Sequence, residues 1–302
     1  MLAAITLFSI LAIAQVTQAD ISIQIDDSSR APAASNQSNE KESIIIEVEG
    51  DPDDHREYIE LYHPFIDVIA TYELLFNGLA IQGKPDKLAK LSSLEFINAI
   101  HPVQTYEALS HSLYREFQNI ELINTVMPSA VNTTPYTGKG IDVAVIDTGI
   151  DYDHPDLQGN YKGGYDLVDL DDDPMETLES EGVPTSHGSH VAGIIAANGH
   201  LKGVAPEANI YAYRALGPGG QGTSVQVIAA MEQAARDGVD IMNLSLGNAI
   251  NGPDFPTSVA VNRATDMGIA VVIANGNSGP HNWTVGSPAT ATKAISVGAA
   301  SP

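Results

Sequence analysis

Val143-Ala-Val-Ile-Asp-Thr-Gly-Ile-Asp151 is the stretch of sequence that decides the fold, because an apolar run ends abruptly in an acid and a glycine. Such a run, beginning at Ile141, is typical of a strand that is buried on both faces. Helical stretches alternate with further short apolar runs downstream. The pattern predicts an α/β fold with a doubly wound, mainly parallel sheet, with strands at 141–146, 209–213, 239–245 and 269–274 and helices at 187–197 and 224–236.

Two glycines support this order of elements. Gly238 and Gly268 each stand just before a predicted strand, where the glycine that ends a helix belongs. In open parallel sheets the reactive crevice lies beyond the carboxyl ends of the strands. Asp147, 245–247 and 275–279 are all expected at that edge.

Asp147 and His187 are the residues in this pattern that could carry chemistry. A desolvated Asp147 carboxylate needs a hydrogen-bonded or cationic partner, and an aspartate that merely caps the turn is the alternative. His187 begins a predicted helix behind Ser186, a candidate N-cap, and Gly188 is expected to leave the space beside it open. A buried acid and a histidine in this chain order are two members of a hydrolytic triad.

His190 follows His187 by three residues, so the pair could instead be half of a zinc site. No glutamate accompanies the pair on the helix, as a hydrolytic zinc site of that type requires. We therefore expect no metal ligands here and interpret His190 as a packed structural histidine. An unrelated metal hydrolase is the outlying alternative.

Composition excludes several classes of partner. The chain of 302 residues has 38 acidic and 14 basic residues, a formal net charge of −24. This balance argues against nucleic acid and anionic membranes, which bind clustered Lys and Arg. There is no cysteine, so disulfide, thiolate and cysteine–metal chemistry are excluded.

The residues before the sheet divide into segments. An apolar run at 1–19 predicts a signal peptide, and 20–42 reads as a flexible spacer. A small α+β, ferredoxin-like module is predicted over 43–108, with strands at 43–49, 76–82 and 95–100 and a helix at 85–91. A linker at 109–136 leads to the α/β region at 137–302.

Several blocks resemble the subtilisin family of serine proteases, in the family's order. They are Val145-Ile-Asp-Thr-Gly-Ile-Asp-Tyr-Asp-His-Pro-Asp-Leu157, His187-Gly-Ser-His-Val-Ala-Gly193, Gly203-Val-Ala-Pro206, Asn243-Leu-Ser-Leu-Gly247 and Ala274-Asn-Gly-Asn-Ser-Gly279. The segments 75–80, 88–91 and 100–106 resemble the family's inhibitory propeptide. Minor extracellular proteases with such propeptides are the subgroup that the chain resembles most.

The resemblance implies a role for each matching residue. Asp147 would orient the imidazole, His187 would be the general base and acid, and Asn277 would stabilise the oxyanion. Residues that match the peptide-binding walls are Ser245, Leu246, Gly247 and Gly276. Leu216 and Gly217, with the glycines that follow them, match an edge that pairs with peptide backbone. Asn275 stands where the family has a small apolar residue, so pocket polarity is expected to differ.

The chain departs from the family at two places. No serine in a Gly-Thr-Ser-Met-Ala-type turn occurs before Pro302, so we expect the nucleophile beyond this fragment and the fragment itself to be inactive. Gly222-Thr-Ser224 is interpreted as a helix N-cap. Asp156 matches a calcium-binding position, but the chain after Ala197 lacks the loop with the other ligands, and Asp171-Asp-Asp173 reads as an acidic surface run.

The resulting prediction is a secreted serine endopeptidase precursor. It would act on proteins and peptides, be inhibited by its own propeptide, require no cofactor for catalysis, and bind neither nucleic acid nor, in the mature form, membrane. A catalytically inactive pseudo-protease, or an inhibitor or folding module built from the propeptide, is the alternative.

Overall fold

The computed structural model describes residues 40–109 and 135–299. The predicted signal peptide, nearly all of the spacer and most of the linker lie outside the described residues. Among those that are described, no helix combines the length and the apolar composition needed to cross a bilayer.

The first part of the described chain is a four-stranded antiparallel sheet, here called the small sheet. Its strand order is β2-β3-β1-β4 and its chain order is βαββαβ, the ferredoxin-like arrangement that the sequence predicted. The elements are β1 (Glu42–Val48), α1 (Pro52–Tyr62), β2 (Ile66–Tyr72), β3 (Gly78–Gly83), α2 (Pro85–Leu88, continued by a 3₁₀ turn to Ser93) and β4 (Ile97–Pro102).

Both faces of the small sheet are covered. Ile46 and its neighbours on one face pack with Ile59 of α1 and Leu88 of α2. Ile45, one residue earlier, belongs to the main core of the molecule, because successive side chains of a strand point to opposite faces. The small sheet is therefore sandwiched between its own helices and the rest of the protein.

The module boundary differs from the prediction of 43–108. The small sheet ends at Pro102, and β5 (Thr105–Ala108) leaves it to pair elsewhere. The sequence also gave no prediction of α1 or β2. α1 carries four acidic residues and buries only Pro52 and Ile59, so its apolar periodicity is weak.

The second part is a six-stranded parallel sheet, here called the large sheet, with the order β13-β12-β10-β6-β8-β7. The predicted α/β class is confirmed. Its elements and their neighbours are β6 (Asp142–Asp147), β7 (Tyr161–Asp166), α3 (His187–Ala196), β8 (Asn209–Arg214), β9 (Gln221–Thr223), α4 (Ser224–Arg236), β10 (Ile241–Leu244), β11 (Leu246–Gly247), α5 (Pro256–Asp266), β12 (Ala270–Ala274) and β13 (Ile295–Val297).

Helices cover both faces of the large sheet, as a doubly wound fold requires. Val143 and Val145 of β6 pack with α3, whereas Ala144 and Ile146 share a core with α4 and α5. The apolar run is continuous because β6 is buried on both sides. The end of β6 therefore reaches the crevice edge in a fixed position.

Glycines explain one confirmed prediction and one missed strand. Gly238 and Gly268 have φ of +76° and +94° at the ends of α4 and α5, as expected for helix-ending glycines. The unpredicted β7 reads Tyr-Lys-Gly-Gly-Tyr-Asp, which lacks β-branched residues. A Cβ at Gly164 would lie 1.7 Å from the Ala212 carbonyl oxygen, so close strand approach requires glycine there.

Candidate functional site

Asp147 and His187 meet at the crevice edge of the large sheet. Asp147 ends β6 and is fully buried, and His187 is the first residue of α3. The imidazole Nδ1 lies 2.7 Å from Asp147 Oδ1. Since a carboxylate only accepts, Nδ1–H donates this bond, and Nε2 of the neutral ring is left as a proton acceptor.

The start of α3 is held against the turn after β6 by backbone contacts. The Gly188 N–H donates to the Thr148 hydroxyl over 2.9 Å, while Ser186 at the N-cap position makes no capping bond with its side chain. A Cβ at Gly188 would lie 2.1 Å from the Gly149 carbonyl oxygen. The expectation of open space beside Gly188 was wrong: the glycine permits close approach of the helix to the Asp147 turn.

Burial and charge act on both members of the pair. Burial raises the pKa of the Asp147 carboxyl above its ordinary value, against the hydrogen bonds from His187 and the Thr148 N–H. Burial lowers the pKa of His187, but the hydrogen bond and charge of Asp147 and the charge of Glu176 outweigh it, so the His187 pKa is raised. The protonated form of the His187 ring, the imidazolium, is thus stabilised relative to the neutral form.

Glu176 is a site residue that sequence reasoning missed. It is buried, and its Oε1 accepts from both the backbone N–H and the hydroxyl of Ser189, at 2.8 and 2.9 Å. Ser189 Oγ in turn accepts from the Asp151 N–H at 2.7 Å. Glu176 therefore ties the first turn of α3 to the loop after β6. No local pattern marks it, because the loop around it is irregular.

A three-stranded antiparallel sheet, β9-β5-β11, lies in the crevice. Tyr106 of β5 pairs with Gly222, and Glu107 pairs with Gly247 on the other side. Beyond the strand, the Leu109 N–H donates to the Ser245 carbonyl oxygen over 3.0 Å. The predicted wall residues Ser245, Leu246 and Gly247 thus line an extended segment of this chain itself.

The opposite edge lies among the glycines that follow Leu216 and Gly217. Gly222 of β9 pairs with β5, whereas Leu216 and Gly217 themselves do not. Gly217 donates to the Gln221 carbonyl at 2.8 Å and so begins the turn that leads to β9. Leu216 is fully buried and shares the core that contains Tyr106.

Asn277 follows β12 at the same carboxyl edge, and its side chain is exposed. Gly276 before it has a φ of +99°, a left-handed conformation that glycine adopts without strain. Asn275 is anchored by its N–H to the Val297 carbonyl, and its side-chain Oδ1 is buried without a hydrogen-bond partner in the described part of the chain. The turn therefore points Asn277, rather than Asn275, toward solvent.

Gly222-Thr-Ser224 is a helix N-terminus, as predicted. Thr223 is the N-cap of α4, and its hydroxyl and backbone form a capping box with Gln226. Ser224 is buried and accepts the Gln104 N–H at 3.0 Å, so it fixes the chain just before β5.

The sequence left two metal alternatives, one at Asp156 and one at the His187–His190 pair. Both Asp156 oxygens accept backbone N–H groups, from His200 at 2.7 Å and Leu201 at 3.0 Å, and these bonds lower the Asp156 pKa. Within the described residues no three acidic or histidine side chains converge as a metal site. His190 is exposed, so the interpretation of a packed histidine was wrong.

A second contact between the two sheets lies away from the crevice. Glu232 of α4 is 5% exposed, and its carboxylate accepts the backbone N–H groups of Leu74, Leu75 and Phe76 at 2.7–3.2 Å. We call Glu232 and these three amides the Glu232 clamp. Beside it, the buried Tyr72 hydroxyl donates to the Val225 carbonyl at 3.1 Å.

Comparison with known proteins agrees with these features. The sequence profile of the "Subtilase family" matches residues 138–302. Minor extracellular protease Vpr of Bacillus subtilis (strain 168) is 47% identical over 244 residues, which cover 76% of this chain and 30% of Vpr. Serine protease AprX of the same organism is 35% identical over 247 residues, which cover 71% of this chain and 54% of AprX. The chain thus spans only part of these relatives.

Solved structures share the fold. Fervidolysin from Fervidobacterium pennivorans matches with a TM-score of 0.62 at 22% identity, covering 85% of this chain and 43% of that one. The epidermin leader peptide processing serine protease of Staphylococcus aureus matches with a TM-score of 0.64 at 20% identity, covering 85% and 69%. With the profile match over more than half of its length, and the Asp147–His187 pair at the crevice edge, the chain belongs to the subtilase family.

Proposed function

We propose that this chain is the N-terminal part of a secreted serine endopeptidase precursor, with the nucleophilic serine on residues that follow Pro302 in the full-length protein. In this proposal His187 Nε2 takes the proton of the serine hydroxyl as it attacks a peptide carbonyl, and later returns it to the leaving amine. Asp147 holds the ring through Nδ1 and stabilises the imidazolium. The buried 2.7 Å contact between them supports these roles.

Asn277 is the proposed side-chain donor to the oxyanion of the tetrahedral intermediate. Its exposure at the carboxyl edge of β12 leaves the amide available to a bound peptide. A donor of this kind contributes about 3 to 4 kcal/mol to the transition state, as measured in subtilisin.

The observation that carries the proposal is β5 in the crevice. It forms antiparallel backbone pairs with β9 and β11, which is how an extended peptide adds to exposed strand edges. The predicted module at 43–108 is therefore proposed to belong to a propeptide that inhibits the enzyme by filling the substrate cleft. Protein and peptide substrates would replace β5 in the same cleft.

We also propose a processing site from the position of β5. A Cβ at Gly220 would lie 3.3 Å from Ala108 Cβ and 3.8 Å from Thr148, the neighbour of Asp147. The carboxyl end of the bound segment, Ala108 and Leu109, therefore lies on the side of the Asp147–His187 pair. We expect the propeptide to be cut at the bond that follows Leu109.

Export is proposed from two separate signs. The apolar run at 1–19 fits a signal peptide, and one relative is named an extracellular protease. Fractionation of the native host would test this, with the mature protein, free of the signal peptide and the propeptide, in the medium as the expected result.

The experiment that tests the function expresses the full-length protein and measures peptide hydrolysis, with amino-terminal sequencing of its products. We expect hydrolysis that a serine-reactive phosphonate abolishes, and a mature amino terminus at Ser110 or at a residue later trimmed from it. A full-length protein that hydrolyses no peptide would overturn the enzyme proposal and favour the inhibitor or folding module.

A further inference from the structure

We propose that the cleft has a tyrosine-selective pocket, in which the hydroxyls of Thr257 and Ser287 recognise the phenol of a bound peptide. This inference rests on the proposed function and names its substrate class: peptides with tyrosine three residues before the residue whose N–H binds Ser245. In this chain Tyr106 and Leu109 hold those two places.

The side chain of Tyr106 enters the body of the protein rather than covering its surface. Tyr106 is 1% exposed, and its hydroxyl lies 2.7 Å from Thr257 Oγ1 and 3.2 Å from Ser287 Oγ. Thr257, in the first turn of α5, and Ser287 are both 0% exposed. Bulk water therefore does not reach the Thr257 and Ser287 hydroxyls, and it cannot take the place of the phenol as their hydrogen-bond partner unless it enters the pocket.

The hydroxyl groups around the phenol form a connected set. Thr257 Oγ1 lies 3.0 Å from Ser287 Oγ, and Ser287 Oγ lies 3.1 Å from Ser258 Oγ. Each hydroxyl has one donor and two acceptor positions. The bonds among these hydroxyls do not use all of those positions, so the set can form a further bond with another partner. The phenol supplies that partner.

Asn248 provides a separate sign that the pocket recognises an oxygen. Its buried amide nitrogen forms no hydrogen bond of good geometry in the described residues. Asn248 lies beside the phenol: burial raises the Tyr106 pKa, and Ser287, Thr257 and Asn248 oppose that shift. The Asn248 amide is therefore an additional donor for the phenol oxygen.

The rest of the pocket is apolar and would accept any aromatic ring. The Tyr106 ring belongs to the core that contains Leu216, Leu246 and Val261. Phenylalanine would therefore keep the apolar contacts but leave buried hydroxyls short of a partner. Because those hydroxyls still pair with one another, we expect about 10- to 100-fold discrimination rather than complete rejection.

Backbone pairing sets which residue of a peptide enters the pocket. Tyr106 pairs with Gly222, where a Cβ would lie 2.2 Å from the Ala215 carbonyl oxygen, so this edge cannot carry a side chain without moving. Any peptide that adopts the register of β5 places its corresponding residue between β9 and β11 in the same way. The pocket can then choose among peptides by that one side chain.

The first test uses the full-length protein and peptides based on residues 104–109, Gln-Thr-Tyr-Glu-Ala-Leu, with a reporter after leucine. We expect kcat/KM for the tyrosine peptide to exceed that for its phenylalanine analogue by about 10- to 100-fold. Thr257→Val should lower the ratio clearly, although Ser287 remains as a partner. Thr290→Val should keep the ratio, because the Thr290 hydroxyl bonds the Gly252 carbonyl and lies 3.4 Å from Ser258, without a hydrogen bond to the phenol. Equal rates for both peptides in the unaltered protein would overturn the proposal.

The second test needs no catalysis, so it separates this inference from the enzyme proposal. Thermal unfolding of the full-length precursor with His187→Ala, to prevent processing, is compared for Tyr106→Phe, Thr257→Val and both together. We expect each single change to lower Tm and the double change to lower it by less than the sum. Strictly additive shifts would contradict recognition of the phenol by Thr257, even in a protein that hydrolyses peptides.

Discussion

Two of the contacts that hold the first part of the described chain on the large sheet differ in their chemistry. In the crevice, β5 is held by backbone bonds to β9 and β11, which many sequences could form. At the Glu232 clamp, one buried carboxylate accepts three amides of a single turn. The first contact uses backbone pairing that a short peptide could also form, and the second has no counterpart in a short peptide.

If the proposed function is right, this difference separates inhibition from attachment. A peptide that competes with β5 would then displace it from the cleft while the clamp still holds the small sheet. An intact clamp keeps β5 at a high effective concentration beside the cleft, because the two are joined by one chain. On the proposed function, the clamp therefore strengthens inhibition without contacting Asp147 or His187.

The largest expected effect comes from removing the proposed general base in the crevice while the clamp stays intact. In the full-length protein, His187→Ala should lower kcat/KM by roughly 10⁴- to 10⁶-fold, the range that removal of triad residues causes in subtilisin. Peptide hydrolysis assays would measure it. The Tm of the unprocessed precursor should change little, and loss of folding together with activity would contradict the separation.

Breaking the clamp should have the next largest effect. Glu232→Ala leaves three buried amides without an acceptor, and we expect the free energy of unfolding of the unprocessed precursor to fall by about 3 kcal/mol. Denaturant titration would measure it. Glu232→Gln is the matched control, since its carbonyl oxygen can still accept, and its loss should be clearly smaller. Equal losses would mean that the amides do not depend on the acceptor.

A change at Glu176 should alter the pH dependence of kcat/KM and no other property of the crevice. The Glu176 charge helps to raise the His187 pKa, and only the neutral ring can accept the serine proton. Activity therefore rises with pH through the His187 pKa, and Glu176→Gln should move this acid limb to lower pH. The pH profile of kcat/KM would measure the shift. A shift to higher pH would contradict the assigned sign.

The smallest expected effect tests the exposed neighbour of the clamp. Arg236 pairs with Glu73 at 2.8 Å, but the two side chains are 46% and 39% exposed. Because solvent screens such pairs, Arg236→Ala should cost about 0.2 to 1 kcal/mol of the free energy of unfolding, and less at high salt. Chemical denaturation at two salt concentrations would check this. A loss as large as that of Glu232→Ala would contradict the assignment of the attachment to Glu232.

The elements that the sequence predicted best are those with a strong local signal. The predicted helix at 224–236 matches α4 at both ends, where Thr223 caps it and Gly238 ends it. β7 was missed because its glycines serve a contact with β8, which lies far along the chain. α1 was missed because its buried face is narrow.

The candidate site divides in the same way. Asp147 and His187 were recognisable because each lies in a local pattern, a strand end and a helix start, and the structure brings them together. Glu176 and Glu232 were not recognisable, since their partners come from distant segments or from the backbone. An acidic residue in an acidic chain carries no sign of burial in its immediate sequence.

The sequence by itself determined the α/β class, four of the six strands of the large sheet, the family resemblance and the positions of the proposed acid and base. These follow from residue periodicity and short motifs, which are local properties of the chain. Only the tertiary structure decided three contacts. β5 leaves the small sheet to occupy the crevice, the Glu232 carboxylate accepts amides of a distant turn, and the Tyr106 hydroxyl bonds Thr257 and Ser287. Those contacts join residues more than 100 positions apart, and their free energy depends on burial and register that no local window contains.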